Sequence, residues 1–499
     1  MTSAQIIIVV TIVLYLAAMV LVGVYFGKKG SGSSSDDFYL GGRKMGPIVT
    51  AMSAEASDMS SYLLMGLPGL AYLCGLPEVT WTAIGLAIGT YLNWLIVARR
   101  LRRYSAKLGA ITIPDFFARR FGDKKHLLSC IAAVVILIFF IPYTASGFKA
   151  IGTLFNSLFG VEYHTAMIVG GIVVVLYTVM GGFMAVSFTD LIQSIFMTIA
   201  LIVIVCFGVQ QAGGLDTVID NARSLPGYLN MTQGYDAATG TAASFSTLSI
   251  ISTLAWGLGY FGMPHILVRY LSIKSEHEMR KSQIIGCSWI VLILAMSAVV
   301  GLIGRQFLGE IDNENLVFVH MVRRLFPAFI SGVLLSAILA AAMSTADSQL
   351  LASSSAFASD IYKPVIRKDA TDHEMQWAGR IIVILISVVA FFIAADPNCG
   401  GIMALVECAW AGFGSAFGPV ILLSLYWRRL TYSGAVAGVC VGFVVDAVWY
   451  AFLSSSTGLY EIIPGFLCGL IAAVVVSLCS KAPSKEVTDL FDHAFEPTD

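Results

Sequence analysis

The sequence predicts an all-α polytopic membrane protein of about thirteen transmembrane helices. Two five-helix units related by inversion are expected, with one extra helix before them and two after. Three observations carry this reading. Of 499 residues, 57% are hydrophobic and only 12% charged, where soluble domains carry about 25% charged residues. The apolar residues gather into segments of membrane-spanning length, and the basic residues between them segregate to one side. Two of these segments are interrupted near their centres by residues that a lipid-facing helix avoids.

The apolar segments run roughly over 5–27, 47–72, 78–98, 128–156, 162–182, 189–210, 245–268, 283–305, 325–354, 377–396, 401–426, 433–453 and 461–480. The first has no basic stretch before it and is followed by Lys28 and Lys29, so it reads as a retained span with its N-terminus outside rather than a signal peptide. Alternate loops then collect Lys28 to Lys44, Arg99 to Lys125, Arg269 to Lys281, Lys363 to Arg380, Arg428 with Arg429, and Lys481 with Lys485. Of 30 basic residues, only Lys149, Arg223, Arg305, Arg323 and Arg324 remain for the outer side. The positive-inside rule therefore expects an outer N-terminus, an inner C-terminus and an odd number of spans in a cell (inner or plasma) membrane.

The expected divisions are a peripheral first helix over 1–27, an inner loop over 28–46, and a first five-helix unit over 47–210. An outer loop over 211–244 leads to the inverted second unit over 245–426. Two peripheral helices over 427–480 and a short acidic inner tail over 481–499 complete the chain. Neither the outer loop nor the tail is long enough for a folded domain, so no soluble catalytic domain is expected. The net charge of −1 gives no pointer to nucleic acid. Nine scattered cysteines lie mostly in apolar runs, without CxxC or His spacing, and read as core residues. The lipid bilayer is the expected partner, with no cofactor and no obligate protein partner. Glycines repeat every four residues at Gly434, Gly438 and Gly442 and at Gly414 and Gly418, which suits close helix packing.

The second span carries the chain's main anomaly. Asp58 is eleven residues past Pro47, about 17 Å along a helix at ~1.5 Å per residue, and so near the midplane of a ~30 Å hydrocarbon core. A charge there costs on the order of 2.5–3.5 kcal/mol on insertion scales, and a bound cation would offset that cost. The serines around it, Ser53, Ser57, Ser60 and Ser61, read as ligands or equally as interhelical hydrogen-bonding groups. Glu55 lies three residues before Asp58 on the same helix face. A cation between the two, a proton-carrying role and a position in a vestibule are all compatible with it. Glu407 and Asp446 are also buried by position.

The seventh span holds Trp256-Gly257-Leu258-Gly259-Tyr260-Phe261-Gly262-Met263-Pro264, which weakens a helix. The second and seventh spans are five apart, an odd number, so they cross in opposite directions. Paired interrupted helices of this kind mark the midplane site of inverted-repeat transporters. In the ninth span Ser344, Asp347 and Ser348 share one helix face, and hydroxyls with freed carbonyls from the second and ninth spans would suit a hard cation. Asp190, after Gly181-Gly182, reads either as a cap of the sixth span or as part of an ion pathway. Tyr62, Tyr143, Trp256 and Tyr260 are candidates to line a pocket, or are simply packing.

These segments resemble the solute:sodium symporter family, in its proline-carrying branch. The resemblance rests on Leu40-Gly41-Gly42-Arg43 with Gly46-Pro47, on Ala56-Ser57-Asp58-Met59-Ser60 with Leu64 to Gly69, and on Gly181-Gly182 through Asp190 and Gln193. It continues through Trp256 to Gly262 with Pro264-His265, Leu335 to Ala341 with Met343-Ser344-Thr345, and Ala409 to Gly414. It implies an inverted-repeat fold of the LeuT type and a sodium-coupled importer of L-proline, not an enzyme. Sodium, the coupling ion, would be held by the carbonyls of Ala56, Met59 and Ala341 and the hydroxyls of Ser344 and Thr345, with Asp58 contributing. Ser60, Ser61, Tyr62, Tyr143, Trp256, Tyr260 and Pro264 would lie near proline. Arg43 would be a functional charge at the inner end of the second span, and Glu55 has no matching role. In some members of the family a second sodium site draws on positions matching Ser344, Asp347, Ser348 and Asp190. Here that site would hold two carboxylates, and coupling to more than one cation is therefore expected.

The sequence departs from the proline branch at Glu55 and Ser61, where glycine is usual, and at Tyr62, where tryptophan is usual. A carrier of the same fold for another small carboxylate, such as pantothenate, is the nearest alternative. A sensor would need an appended signalling domain, and a channel a continuous selectivity filter; the sequence carries neither signal.

Overall fold

The computed structural model describes residues 2–30 and 35–495. Residues 31–34 of the expected inner loop and 496–499 of the tail lie outside the described residues, as do Met1 and the side chains of Lys28 and Lys29.

Backbone N–H and C=O groups find no water in hydrocarbon, so an apolar segment satisfies them within a helix. Among the described residues, ten helices are long and apolar enough to cross a membrane, and the bent pair Thr247–Phe261 and Pro264–Ser272, with 43° between its halves, makes an eleventh if counted as one span. The expected second span is Pro47–Met59, a 3-10 turn Ser61–Leu63 and then Gly66–Cys74. The expected fifth is the short helix Tyr163–Met180. Among the described residues, length and composition alone therefore qualify ten or eleven spans, where about thirteen are expected.

Several boundaries move. Gly181 and Gly182 end the fifth span, and the sixth, Phe183–Gln211, begins at once. Asp190 thus lies two turns inside a helix and does not cap it. The third span, from Leu76, continues through a π-helical turn Asn93–Ala98 into Arg99–Leu108, which places Arg99 to Arg103 on helix rather than in a loop. The outer loop contains a helix, Leu215–Ser224, and an antiparallel hairpin of Gln233–Asp236 with Thr241–Ser244, an exception to the all-α expectation. Tyr228 ties this loop down: its hydroxyl donates to the Ala71 carbonyl at 2.6 Å, and its own carbonyl accepts the Leu76 N–H at 2.8 Å. The tail is helical over Lys485–Phe495 and packs Phe491 and Phe495 on Tyr104.

The ninth span, Ala328–Phe357, is the axis of the bundle, buried without interruption from Leu334 to Leu351. It packs against the first, second, fourth, sixth and tenth spans. Its run of alanines and serines lets neighbouring backbones approach closely. The twelfth and thirteenth spans pair on the outside of the eleventh. A Cβ at Gly442 would lie 2.1 Å from the Ser415 carbonyl oxygen, so the glycine repeat sets that approach.

Candidate functional site

The site begins where the second span breaks. Ser60 has φ 40° and ψ −174°, a left-handed conformation unusual for a residue with a side chain. In a continued helix its N–H would bond the Ala56 carbonyl, four residues back. Instead it donates to Thr345 Oγ1 at 2.9 Å. The Ala56 carbonyl, released from the helix, accepts from Ser344 Oγ at 2.9 Å, and the same hydroxyl lies 3.2 Å from the Ala341 carbonyl. Oxygens of Ala56, Ala341 and Ser344 thus meet, with Thr345 alongside, between a broken helix and a continuous one. Met59 is the last residue of the first half-helix, whose final carbonyls have no partner within the helix.

Asp58 is 5% exposed. Its Oδ2 accepts from the Tyr260 hydroxyl at 2.5 Å, and its backbone carbonyl accepts from the Tyr143 hydroxyl at 3.0 Å. Two candidate pocket aromatics therefore converge on the anomalous carboxylate, one from the seventh span and one from the fourth. The Tyr62 and Trp256 rings stack at 6.0 Å, and Trp256 stacks in turn with Tyr460 at 5.8 Å. Gly259 lets the Trp410 ring lie close beside this stack, because a Cβ there would lie 2.0 Å from Trp410 Nε1. That indole donates to the Trp256 carbonyl at 2.6 Å. Ser60 Oγ accepts from the Tyr62 N–H at 3.2 Å, while the hydroxyls of Ser61 and Tyr62 are buried without a hydrogen-bond partner. Pro264 starts the second half of the seventh span and lines a small cavity of about 20 Å³ with Tyr39, Thr112, Arg269 and Ser348.

Asp190 and Ser348 do come together, but around a residue that sequence reasoning assigned to an inner loop. Arg269 is 1% exposed. It donates to Ser53 Oγ at 3.0 Å, the His265 carbonyl at 2.6 Å, Asp190 Oδ2 at 3.2 Å and Ser348 Oγ at 2.5 Å. Ser348 Oγ lies 3.4 Å from Asp347 Oδ1. The apolar run ends at Val268, which made Arg269 look like a loop charge. The missed signal is that nothing after Pro264 breaks the helix before Ile273.

Glu55 is buried at 2% exposure, not in a vestibule. Its Oε1 accepts from the Trp94 indole at 2.7 Å, beside Gly286 of the eighth span. Arg43 clips its own segment to the ends of the helices Pro264–Ser272 and Arg99–Leu108, donating to the carbonyls of Leu271 at 2.7 Å, Ser105 at 3.1 Å and Ala110 at 2.6 Å. Asp446 accepts from Ser415 Oγ at 3.0 Å, while Glu407 is only half-buried.

Paired broken helices facing a continuous one, with freed carbonyls, hydroxyls and a carboxylate between them, define a secondary transporter. The fold recurs in a Na+-coupled sialic acid symporter solved in a substrate-bound outward-open state, at TM-score 0.79 and 20% identity, covering 96% of this chain and 98% of that one. It recurs more distantly in Mhp1, a nucleobase-cation-symport-1 family transporter, at TM-score 0.56 and 14% identity, covering 91% and 98%. The architecture is of the LeuT type. The family model described as "Sodium:solute symporter family" matches residues 38–442, and the chain belongs to that family. It is 43% identical over 494 residues to the sodium/proline symporter of Escherichia coli strain K12, covering 97% of this chain and 95% of that protein. It is 44% identical over 480 residues to the high-affinity proline transporter PutP of Bacillus subtilis strain 168, covering 95% and 98%. The chain is a multi-pass membrane transporter of a sodium-coupled family, not an enzyme.

Proposed function

We propose that the chain imports L-proline together with sodium by alternating access. The observation that carries this reading is the exchange at the break of the second span: Ser60 N–H on Thr345 and the Ala56 carbonyl on Ser344. Sodium, a hard cation, takes oxygen ligands. The carbonyls of Ala56, Met59 and Ala341 and the hydroxyls of Ser344 and Thr345 supply them, with Asp58 providing negative charge close by. Proline lies against Ser60, Ser61, Tyr62, Tyr143, Trp256, Tyr260 and Pro264. The unpartnered hydroxyls of Ser61 and Tyr62 are groups that its carboxylate or ammonium would satisfy. Relatives named as proline transporters over nearly the full length support the choice of solute. Arg43 acts by holding the inner ends of three segments, and Glu55 by fixing Trp94 between the second and third spans.

In this reading the N-terminus is outside and the C-terminus inside. The first unit spans 47–210 and the inverted unit 245–426, with 1–27 and 427–480 peripheral. The Tyr62–Trp256–Tyr460 stack then closes the outer side. Sodium ties the second and ninth spans together and shapes the proline site. Release inside follows from low internal sodium and the membrane potential, worth about 2.3 kcal/mol per charge per 100 mV. The test is uptake of labelled proline into vesicles with and without a sodium gradient, for wild type and Asp58→Asn, with unlabelled competitors including pantothenate. Uptake by the wild type only, driven by sodium and displaced by proline, is expected. Sodium-independent uptake refutes the coupling, and displacement by another solute alone refutes the substrate.

A further inference from the structure

A polar cavity of about 810 Å³ lies where the start of the fourth span, Leu127–Phe159, meets the end of the ninth and the start of the tenth, Asp372–Ala395. Its volume is in the range of small-ligand sites, about 300–1,000 Å³. The ninth span continues past Phe357 as a π-helical stretch, Ala358–Ile366, which brings Asp360 and Lys363 into the cavity wall. Lys124 and Lys368 line it from either side. We propose that this cavity seats the headgroup of a phosphatidylethanolamine of the surrounding bilayer, its phosphate on the lysines and its ammonium on Asp360.

The groups left over after internal pairing set this chemistry. Asp115 is taken up: Oδ1 accepts from Arg119 Nε at 2.7 Å and Oδ2 from the Ile111 N–H at 3.1 Å. Asp123 is taken up as well, its two oxygens accepting the N–H groups of Leu127, Leu128 and Ser129 at 3.2, 2.8 and 3.2 Å. Asp372 lies in the first turn of its helix, where the helix dipole suits a carboxylate. Lys124, Lys363 and Lys368 make no ion pair or hydrogen bond among the described residues, although they share a cavity with these carboxylates. Asp360 is 4% exposed. Its Oδ2 accepts from Thr112 Oγ1 at 2.7 Å, and its Oδ1 is left to the cavity. Three ammonium groups and one carboxylate oxygen therefore remain. The ammoniums suit a phosphate, and the carboxylate oxygen suits a cationic N–H donor. A plain phosphate would leave Asp360 under-satisfied, and a plain amine would leave three lysines without an anion. A zwitterion with a phosphate and a primary ammonium serves both.

The surface beside the cavity gives the ligand its chains. Leu127, Val134 and Ile138 are exposed along one face of the fourth span, Trp377 and Ile381 along the tenth, and Val365 near the end of the ninth. Exposed apolar side chains here meet acyl chains, and a tryptophan at their edge marks the boundary with the headgroups. Basic pockets between membrane helices are known seats for lipid headgroups. In the orientation proposed above, this is the inner leaflet; the proposal rests on that reading for the leaflet alone. A seated headgroup bridges the ninth span, which carries Ser344 and Thr345, to the fourth and the tenth.

Native mass spectrometry of the purified full-length carrier tests this, with titration by phosphatidylethanolamine, phosphatidylcholine or phosphatidylglycerol of identical chains. One tightly held phosphatidylethanolamine is expected. Phosphatidylcholine, whose quaternary amine cannot donate to Asp360, and phosphatidylglycerol, which has no amine, should bind about tenfold more weakly. Lys124→Gln and Lys363→Gln should each weaken retention about fivefold. Lys281→Gln, at the start of the eighth span and outside the cavity, should leave it unchanged. Asp360→Asn should lose most of the preference for phosphatidylethanolamine. Equal retention of the three lipids, tighter phosphatidylglycerol, an undiminished preference in folded Asp360→Asn, or an equal loss in Lys281→Gln would overturn the proposal. Where Asp360→Asn does not purify folded, the lysine variants carry the test, and unchanged retention in both overturns it. Displacement of the lipid by equimolar free phosphoethanolamine would overturn the assignment to a lipid.

Discussion

Thr345→Ala probes the site at the point where, in the proposed reading, fold and ion binding share one atom. Thr345 Oγ1 accepts the Ser60 N–H at 2.9 Å, in a place where both residues are 2% exposed. In the proposed reading the substitution removes a sodium ligand, and it strands a buried N–H at a left-handed residue. Leaving a buried donor unsatisfied costs about 1–3 kcal/mol, which at 1.4 kcal/mol per tenfold is roughly five- to a hundredfold in affinity. Both losses act in the same direction, because a hydroxyl oxygen has one lone pair for the N–H and another for the ion. The sodium concentration giving half-maximal proline uptake should therefore rise at least about tenfold. Thr345→Ser keeps the oxygen and should restore most of the affinity. The assay is initial proline uptake against external sodium at fixed proline, with the amount of folded carrier equalised. An unchanged half-saturation in Thr345→Ala, or an equal defect in Thr345→Ser, would refute the reasoning.

Tyr260→Phe removes the donor held 2.5 Å from Asp58 Oδ2. A hydrogen bond to a charged group is worth about 1.5–3 kcal/mol, so coupled uptake should weaken roughly ten- to a hundredfold while the carrier still folds; wild-type kinetics would contradict this. Gly259→Ala drives a methyl into the Trp410 indole. Overpacking of this kind costs about 1–3 kcal/mol, read as a lower melting temperature in detergent, and an unshifted melting curve would count against the close approach. Between the loop after the eleventh span and the C-terminal helix, the Arg428 guanidinium beside Asp492 holds that carboxyl below the usual carboxylate range. A lowered acid value means that the pair's contribution is present above the ordinary Asp value of about 3.9 and is lost as pH falls through the lower folded value. Hydrogen exchange in Lys485–Phe495 should thus stay constant between about pH 8 and 5 after correction for intrinsic rates, and quicken only in stronger acid. Because exposed ion pairs contribute little, Asp492→Asn should loosen the tail less than Phe491→Ala does; the reverse order would show that charge, not aromatic packing, seats it.

Helix and interruption were legible in the sequence because each is local. Hydropathy over a span decides insertion, and the distance from Pro47 to Asp58 sets depth. The glycines and proline from Gly257 to Pro264 announce weak helix wherever they are folded. The motifs around Asp58, Tyr260 and Ser344 also pointed to elements that the fold brings together. Other features were decided only by tertiary contact. Ser60 carries no residue signal for a left-handed turn; the break falls there because Thr345, 285 positions away, accepts its N–H. Asp190 was open between cap and site until Phe183 opened the sixth span earlier and carried the carboxylate inside it. Arg269 read as a loop charge because hydropathy counts a charge as an end. A buried guanidinium is tolerated only where several acceptors converge, and here they come from the second, sixth and ninth spans and from the carbonyl of His265. That convergence is a property of three helices at once, and no window along one chain segment contains it.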